Sequence, residues 1–534
     1  MLAASEGTIR NDLNALADSG QITRVRGGAV IKQEVPLVNT AFASRVRVNE
    51  SAKQRIARWA AELVEDGDSI LLDASTTVYY LSHYLKECRH LTAVTNGIEV
   101  ARQLAQDPTN TVILLGGAMR ADGTRVTGLL GERLLADLHV KTAFVSCTGF
   151  DPEIGFTENN LAEAQLKSKM IGIARSAVAL IDSDKFGEVD LAPFAGPEQI
   201  SHIYTDSDLQ AAWIAKLRST CISLTVCSEE TVSTYSPCGP ERRHFRVGFA
   251  NLSENIPFAV DVRRGIERAA HDAGNIDLVL ADNQLSGKVA IEVADRLLAQ
   301  NLDLVIEYQV DEQTGNVLMD RFRRASIPVI AVDIPIVGAT FFGVDNFGAG
   351  HMAGAALGRW IREQWQGQID RLLVLEEPRA GATPAARMQG QLAGLQEIIG
   401  TIEPEKIVRL DAGNAAAVSE VAVAAALDQL VGLHRHAVIS FNDDVALGAL
   451  AAGRKLGREQ DLAIVGQGLD RSARREIRQP GSRIIGSTAY WPERYGEKLI
   501  PMVQKILAGE VVPPAVHMDH AFINGETIQR YYPE

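Results

Sequence analysis

Between residues 51 and 228 short apolar runs recur at regular intervals: SILLDA (69–74), LTAVTN (91–96), TVILLGG (111–117), TAFVSCTG (142–149), VALID (178–182), HIYTD (202–206) and CISLTVC (221–227). Each is too short for a helix, rich in β-branched residues and closed by polar or glycine positions, so each predicts a strand; the stretches between them predict helices. Buried strands separated by helices predict a parallel sheet covered on both faces. A second series opens with FRVGFANL (245–252) and a helix around 258–273. Strands follow near 276–281, 303–307, 328–333, 371–375, 436–441 and 462–466. Its roughly 290 residues suit two sheet-bearing lobes rather than one. Residues 229–244 show no period and are rich in Ser, Thr, Pro, Glu and Arg, which predicts a linker.

The N-terminal stretch follows a different pattern. Residues 5–18 predict a helix, with Ser5 as its cap and Ile9, Leu13 and Leu16 on one face. Gly20 suits a left-handed stop, residues 21–26 alternate as a strand does, and Gly27-Gly28 predicts a turn. Thr8, Arg10 and Asn11 fall off the apolar stripe, where side chains can enter a major groove, and Arg24 and Arg26 suit phosphate contacts. A capped surface helix followed by a hairpin fits the same pattern.

Composition narrows the class. A chain of 534 residues predicts about three domains, and 46% hydrophobic with 22% charged residues is ordinary for globular protein. No apolar run reaches the roughly 18 residues a membrane span needs, and the first residues lack the pattern of an export signal. Five cysteines without a C-x-x-C pair point to reduced thiols in a cytosol. A net charge of −14 argues against nucleic-acid binding over the whole surface but allows a small local module. No dinucleotide or phosphate-loop motif occurs, and His434-Arg435-His436 lacks ligand spacing, so neither metal nor cofactor is expected.

The carboxyl ends of the first series are polar: Asp73-Ala74-Ser75-Thr76-Thr77, Thr95-Asn96-Gly97, Gly116-Gly117, Thr148-Gly149 and Asp182-Ser183-Asp184-Lys185. Helix capping explains any one of these turns. Five at the end of one sheet, where ligands of such sheets gather, point to a small anionic ligand.

Residues 5–31, SEGTIRNDLNALADSGQITRVRGGAVI, closely resemble the N-terminal signature of DeoR-type regulators, with Asn11 where Arg is usual and Arg26 where His is usual. That signature normally follows about 20 further residues carrying a first helix. The resemblance therefore implies a truncated winged helix-turn-helix over 1–31, with Met1 an internal methionine or the module incomplete. Residues 32–50 are then a linker. Residues 51–228 resemble the matching sensor domain, similar in fold to ribose-5-phosphate isomerase. The resemblance implies a phosphosugar pocket lined by Asp73, Ser75, Thr76, Thr77, Thr95, Asn96, Gly116 and Gly117, with Glu163 and Lys167 in Glu-x-x-x-Lys places and Asp182 and Lys185 in Asp-x-x-Lys places. On spacing alone Glu163 and Lys167 are a solvated helical pair.

Residues 245–534 resemble the two-lobed, α/β periplasmic-binding-protein fold of LacI-type regulators and transport receptors. IPVIAVD (327–333), GVDNFGAG (343–350), ARMQG (386–390), FNDDVALGAL (441–450) and IVGQGLD (464–470) carry that likeness. It implies a sugar cleft held by Asp333, Arg387, Asn442 and Asp470, with Asn255 and Phe258 at its mouth. Tyr490 and Trp491 could cover a ligand or serve as packing. The implied function is a cytoplasmic, sugar-responsive transcription regulator whose partners are operator DNA and a sugar or phosphosugar effector. Paired half-sites imply a homo-oligomer. Alternatives are a sugar sensor without DNA binding, a sugar-phosphate isomerase using Glu163 with Lys167 or Lys185, and a transport receptor.

Overall fold

Runs of Val, Ile and Leu bounded by polar turns form strands here because both faces of each run can be buried under helices. The computed structural model describes residues 22–25, 28–31, 40–121, 123–218, 220, 222–237, 244–309 and 311–533. The chain divides into two compact units, Met1–Cys227 and Ser228–Glu534.

In the first unit, Ile22–Val25 and Gly28–Ile31 pair antiparallel, with Ile22 opposite Ile31 and Arg24 opposite Ala29. The first strand is the one expected from the alternation; the expected turn at Gly27-Gly28 falls partly outside the described residues. Thr8, Arg10, Asn11 and Arg26 lie outside the described residues. The main sheet is parallel and runs Ser223–Cys227, His202–Asp206, Ala174–Leu180, Val140–Val145, Ser69–Leu72, Thr92–Thr95, Thr111–Leu114 from edge to edge. Leu71, Val94, Leu115, Val140 and Ala143 from the sheet side close a core with Leu135, Leu166 and Met170. A small antiparallel sheet, Gly149–Asp151, Gly155–Glu158 and Ala192–Ala195, flanks it around Phe150 and Phe156, whose ring centroids are 4.4 Å apart.

Two stretches expected to be linkers each contain a regular element. Within 32–50, Thr40–Arg47 is a helix whose Phe42 is buried edge-on against Tyr79 at 5.5 Å. Within 229–244, Thr231–Tyr235 is a strand paired antiparallel with Ile276–Asp282, burying Val232 and Tyr235. The polar composition hid a β-favouring Thr-Val-Ser-Thr-Tyr alternation.

The second unit has two lobes. One sheet runs Thr231–Tyr235, Ile276–Asp282, Phe245–Asn251, Leu304–Glu307, Val329–Val332, Thr340–Gly343, Ala515–His517; the other runs Ile407–Asp411, Arg371–Glu376, His436–Ser440, Leu462–Gly468, Ile484–Ala489, Ala521–Ile523. Each has its own buried cluster, one around Val279, Val293, Leu318 and Phe322, the other around Leu357, Leu372, Ile439 and Val465. The chain crosses between lobes just before helix Asn346–Gln364, again before helix Tyr495–Leu507, and again between Ala515–His517 and Ala521–Ile523. Among the described residues no helix is long and apolar enough to cross a membrane.

Candidate functional site

A cavity opens at the carboxyl ends of the central strands of the first unit, where parallel sheets bind ligands. Ser75 caps helix Thr76–Tyr84, its Oγ accepting the Val78 amide at 3.3 Å. The other first-turn amides have no intrahelical acceptor, which leaves a partial positive charge at Ser75, Thr76 and Thr77 on the cavity wall. Lys185 lines the same wall, and its ammonium makes no hydrogen bond or ion pair among the described residues. Two buried acceptors, Asn96 Oδ1 and Asp182 Oδ1, are also without partners. Burial pushes the Asp182 carboxyl up, against the pull of Lys185 and Lys53.

Glu163 and Lys167 both line the cavity, but they are buried rather than solvated and each is bonded to other protein groups. Lys167 Nζ donates to Glu158 Oε1 at 2.5 Å, the Ser146 carbonyl at 2.6 Å and Asp73 Oδ2 at 2.8 Å, which uses all three of its hydrogens. Burial alone would lower its pKa, but the charges of Asp73 and Glu158 and their hydrogen bonds outweigh that and raise it. Glu163 pairs instead with Arg125, Nε to Oε1 at 2.6 Å, and burial raises its pKa. Asp73 is fully buried beneath the cavity, also accepting the Ser75 amide at 2.9 Å and the Ser146 amide at 2.8 Å. Asp73 is thus corrected from pocket lining to the support under it.

Two further expectations are corrected for the same cavity. Thr95 is buried, its Oγ1 accepting the Gly97 amide, and is not on the wall. Gly116 and Gly117 are exposed and away from it; Gly117 has φ +151° and a Cβ there would strike the Thr127 carbonyl. The residues missed by sequence reasoning include Arg45, Asn49 and Lys53, in or beside the supposed linker, and Arg125 and Glu158, which no motif marks. Lys53 Nζ donates to the Arg45 and Val48 carbonyls, at 2.8 and 2.6 Å, closing the end of helix Thr40–Arg47.

The second cavity, about 580 Å³ counting its open mouth, lies between the lobes of the second unit. Phe258, Tyr308 and Asp333 come from one lobe; Arg387, Phe441, Asn442 and Asp470 come from the other. Arg387 is buried, its Nε donating to Asn346 Oδ1 and its Nη1 to the Phe441 carbonyl, both at 2.9 Å. Its guanidinium lies over Phe441 at 4.5 Å and Tyr490 at 5.4 Å. Helix Asn346–Gln364 approaches so closely that a Cβ at Gly350 would collide with the Arg387 carbonyl. Asp333 holds a left-handed φ of 59°, a strained state for a residue with a side chain. Its carboxylate accepts the Tyr495 hydroxyl at 3.1 Å; burial raises its pKa to about 6 despite Arg387 and that hydrogen bond.

Asp470 lines the cleft while capping helix Arg471–Ile477, its Oδ1 accepting the Ala473 amide at 2.8 Å. Asn442 likewise caps helix Asp443–Lys455 through Val445 at 2.9 Å. Asn255 is exposed and off the wall, a correction: the chain turns there and brings Ile256 and Phe258 inward instead. Of the two aromatics left open, Tyr490 lines the cleft, whereas Trp491 stacks on Tyr532 at 5.9 Å as packing. Asp443, Asp444, Tyr308, Gln309 and Gln467 were missed. The signal for the first two was present in the Asn-Asp-Asp run, masked because acidic residues in a first helical turn also complement the dipole. Beside the cleft, Asp261 of helix Pro257–Ala273 meets Arg471 Nε at 2.8 Å and Arg474 Nη2 at 3.4 Å, joining the lobes.

Sequence comparison bears directly on these two units. Residues 1–35 match the DeoR-like helix-turn-helix domain, 48–207 the DeoR C terminal sensor domain, and 247–510 the periplasmic binding protein domain. The HTH-type transcriptional regulator GolR of Listeria innocua is 36% identical over 219 residues, 41% of this chain and 85% of that protein. The chain belongs to the DeoR family of transcriptional regulators. Another relative, the L-fucose operon activator of Haemophilus influenzae, is 35% identical to this DeoR-family chain over 202 residues, 38% of the chain and 80% of the activator. Among solved structures, an ABC transporter solute binding protein from Mycobacterium smegmatis with bound glycerol is 21% identical, covering 54% of the regulator and 96% of that chain with a TM-score of 0.48.

Proposed function

We propose that this DeoR-family regulator is a cytoplasmic transcription factor that binds operator DNA as a homo-oligomer and is controlled by a phosphorylated sugar in the first unit and a sugar in the cleft of the second. The N-terminal module would make the DNA contacts, with Thr8, Arg10 and Asn11 toward the bases and Arg24 and Arg26 toward phosphates. The observation that carries the effector reading is the uncommitted ammonium of Lys185 on the same wall as the helix start at Ser75-Thr76-Thr77. A phosphate there would take first-turn amides, hydroxyls and a cation together. Sugar hydroxyls would donate to Asn96 Oδ1 and Asp182 Oδ1, the two unserved acceptors. Lys167, with every hydrogen engaged, supports the floor rather than the ligand.

Thermal stabilisation of the full chain tests this. Sugar phosphates such as ribose 5-phosphate, fructose 6-phosphate and tagatose 6-phosphate are compared with the free sugars, in the native chain and in Lys185→Ala. A charged hydrogen bond to phosphate contributes about 1.5–3 kcal/mol, so the variant is expected to bind the effective ester roughly ten- to a hundredfold more weakly. Equal stabilisation of the first unit by free sugar and ester, or an unchanged response in Lys185→Ala, contradicts the assignment.

A further inference from the structure

The cleft of the second unit is lined by more carboxylates than cations. Asp333, Asp443, Asp444 and Asp470 line it against the one guanidinium of Arg387. Three of these carboxylates are served by protein donors: Asp333 by Tyr495 at 3.1 Å, Asp443 by Ser487 Oγ at 2.7 Å and the Asp470 amide at 2.9 Å, and Asp470 by the Ala473 amide at 2.8 Å. Asp444 accepts no hydrogen bond and joins no ion pair among the described residues.

A second observation points to an absent ligand. Gln467, 1% exposed, accepts the Tyr490 hydroxyl through Oε1 at 2.7 Å, yet its Nε2 has no partner among the described residues. Gln309 Nε2, in a residue 2% exposed, has none either, and both residues line the cavity. Two buried amide donors and one unserved carboxylate therefore share the cleft.

Buried carboxylates call for a cation beside them. Arg387 brings a single positive charge, which acts on Asp333, and its Nε and Nη1 are already held by Asn346 and the Phe441 carbonyl. An uncharged polyol would bring hydroxyl donors but no charge, and a phosphate ester would add negative charge to an already acidic cavity. An ammonium on a hydroxylated ring supplies both missing elements: charged N–H donors for Asp444, and oxygens to accept from Gln309 and Gln467.

We propose that the cleft takes an amino sugar, a polyhydroxylated ring bearing a primary ammonium received by Asp444, and rejects phosphate esters. The proposal rests on the reading of this cleft as a sugar site. Binding to the full chain is measured by calorimetry and thermal shift for D-glucosamine, D-galactosamine and D-mannosamine, each beside its parent hexose, its N-acetyl derivative and the parent 6-phosphate. At least one amine is expected to bind tenfold or more tightly than its parent and its N-acetyl form, with no binding of the ester that depends on Arg387. Asp444→Asn is expected to bring the amine down to the level of the parent. It should not lower the unliganded midpoint, since it removes a half-buried charge that Asp470 repels; Asp444→Ser repeats the test. If a parent hexose binds as well as its amine and Arg387→Ala abolishes both, the sugar cleft stands and the amino-sugar assignment falls. If no amine binds, or the preference survives Asp444→Asn, the assignment also falls.

Discussion

Replacing Lys167 by Met separates a structural lysine from a ligand-binding one. The substitution keeps the aliphatic stem but leaves Asp73 and Glu158 buried without their shared cation. Breaking a buried ion pair from one side costs about 3–5 kcal/mol, because the remaining charge is left unpaired. The bonds at 2.5, 2.6 and 2.8 Å and the near-complete burial of all three side chains place this site in that range. Since about 1.4 kcal/mol is a factor of ten, opening of the segment should become roughly a hundred to a few thousand times more frequent. Amide hydrogen exchange followed by mass spectrometry, on peptides covering helix Leu161–Gly172 and strand Val140–Val145 in the full chain, reads this directly without requiring the two units to unfold together. Adding Asp73→Asn should restore part of the protection, as expected for coupled neighbours. Native protection in Lys167→Met, combined with a lost response to sugar phosphate, would refute the reasoning and return Lys167 to the ligand.

Other consequences follow from the same geometry. Ser75→Ala removes the cap of helix Thr76–Tyr84 and should cost about 1 kcal/mol while also weakening sugar-phosphate binding, read by thermal shift with and without ester. Gly350→Val should wedge helix Asn346–Gln364 from the Arg387 backbone and abolish sugar binding in the second unit, measured by calorimetry. Burial raises the carboxyls of Asp333 to about 6 and Asp444 to about 7, Asp470 adding to the latter. A folded-state value above the unfolded one binds extra protons, so the stability they contribute is present near pH 4 and is lost as pH rises through about 6 to 7. The midpoint of the second unit should therefore fall between about pH 4 and 7, and Asp444→Asn should flatten that fall. Asp261→Asn breaks the contact to Arg471 and Arg474 and should raise hydrogen exchange in helix Arg471–Ile477.

The α/β series of both units was legible because the apolar runs were short, β-branched and spaced by helices, and the cleft residues Asp333, Arg387 and Asp470 came with their motifs. Roles within the sites were less legible. Spacing put Glu163 and Lys167 on one helical face, but only the fold brings Arg125 to one and Asp73 and Glu158 to the other. Gly116 and Gly117 read as a phosphate turn, although the conformation of Gly117 answers to the neighbouring Thr127 carbonyl. Arg45 and Asn49 were passed over because a stretch without periodicity reads as a linker, whereas Phe42 anchors it through one aromatic contact that periodicity cannot register.

The central claim, that an effector held at Ser75-Thr76-Thr77 and Lys185 controls operator binding, is tested most directly by titrating the full chain with DNA from upstream of its own gene. The titration is run across a salt series, with and without the stabilising sugar phosphate. The expected result is sequence-specific, salt-sensitive binding whose affinity the ester shifts in the native chain and leaves unshifted in Lys185→Ala. Specific binding that the ester moves equally in both proteins, or that it moves in neither, would contradict it.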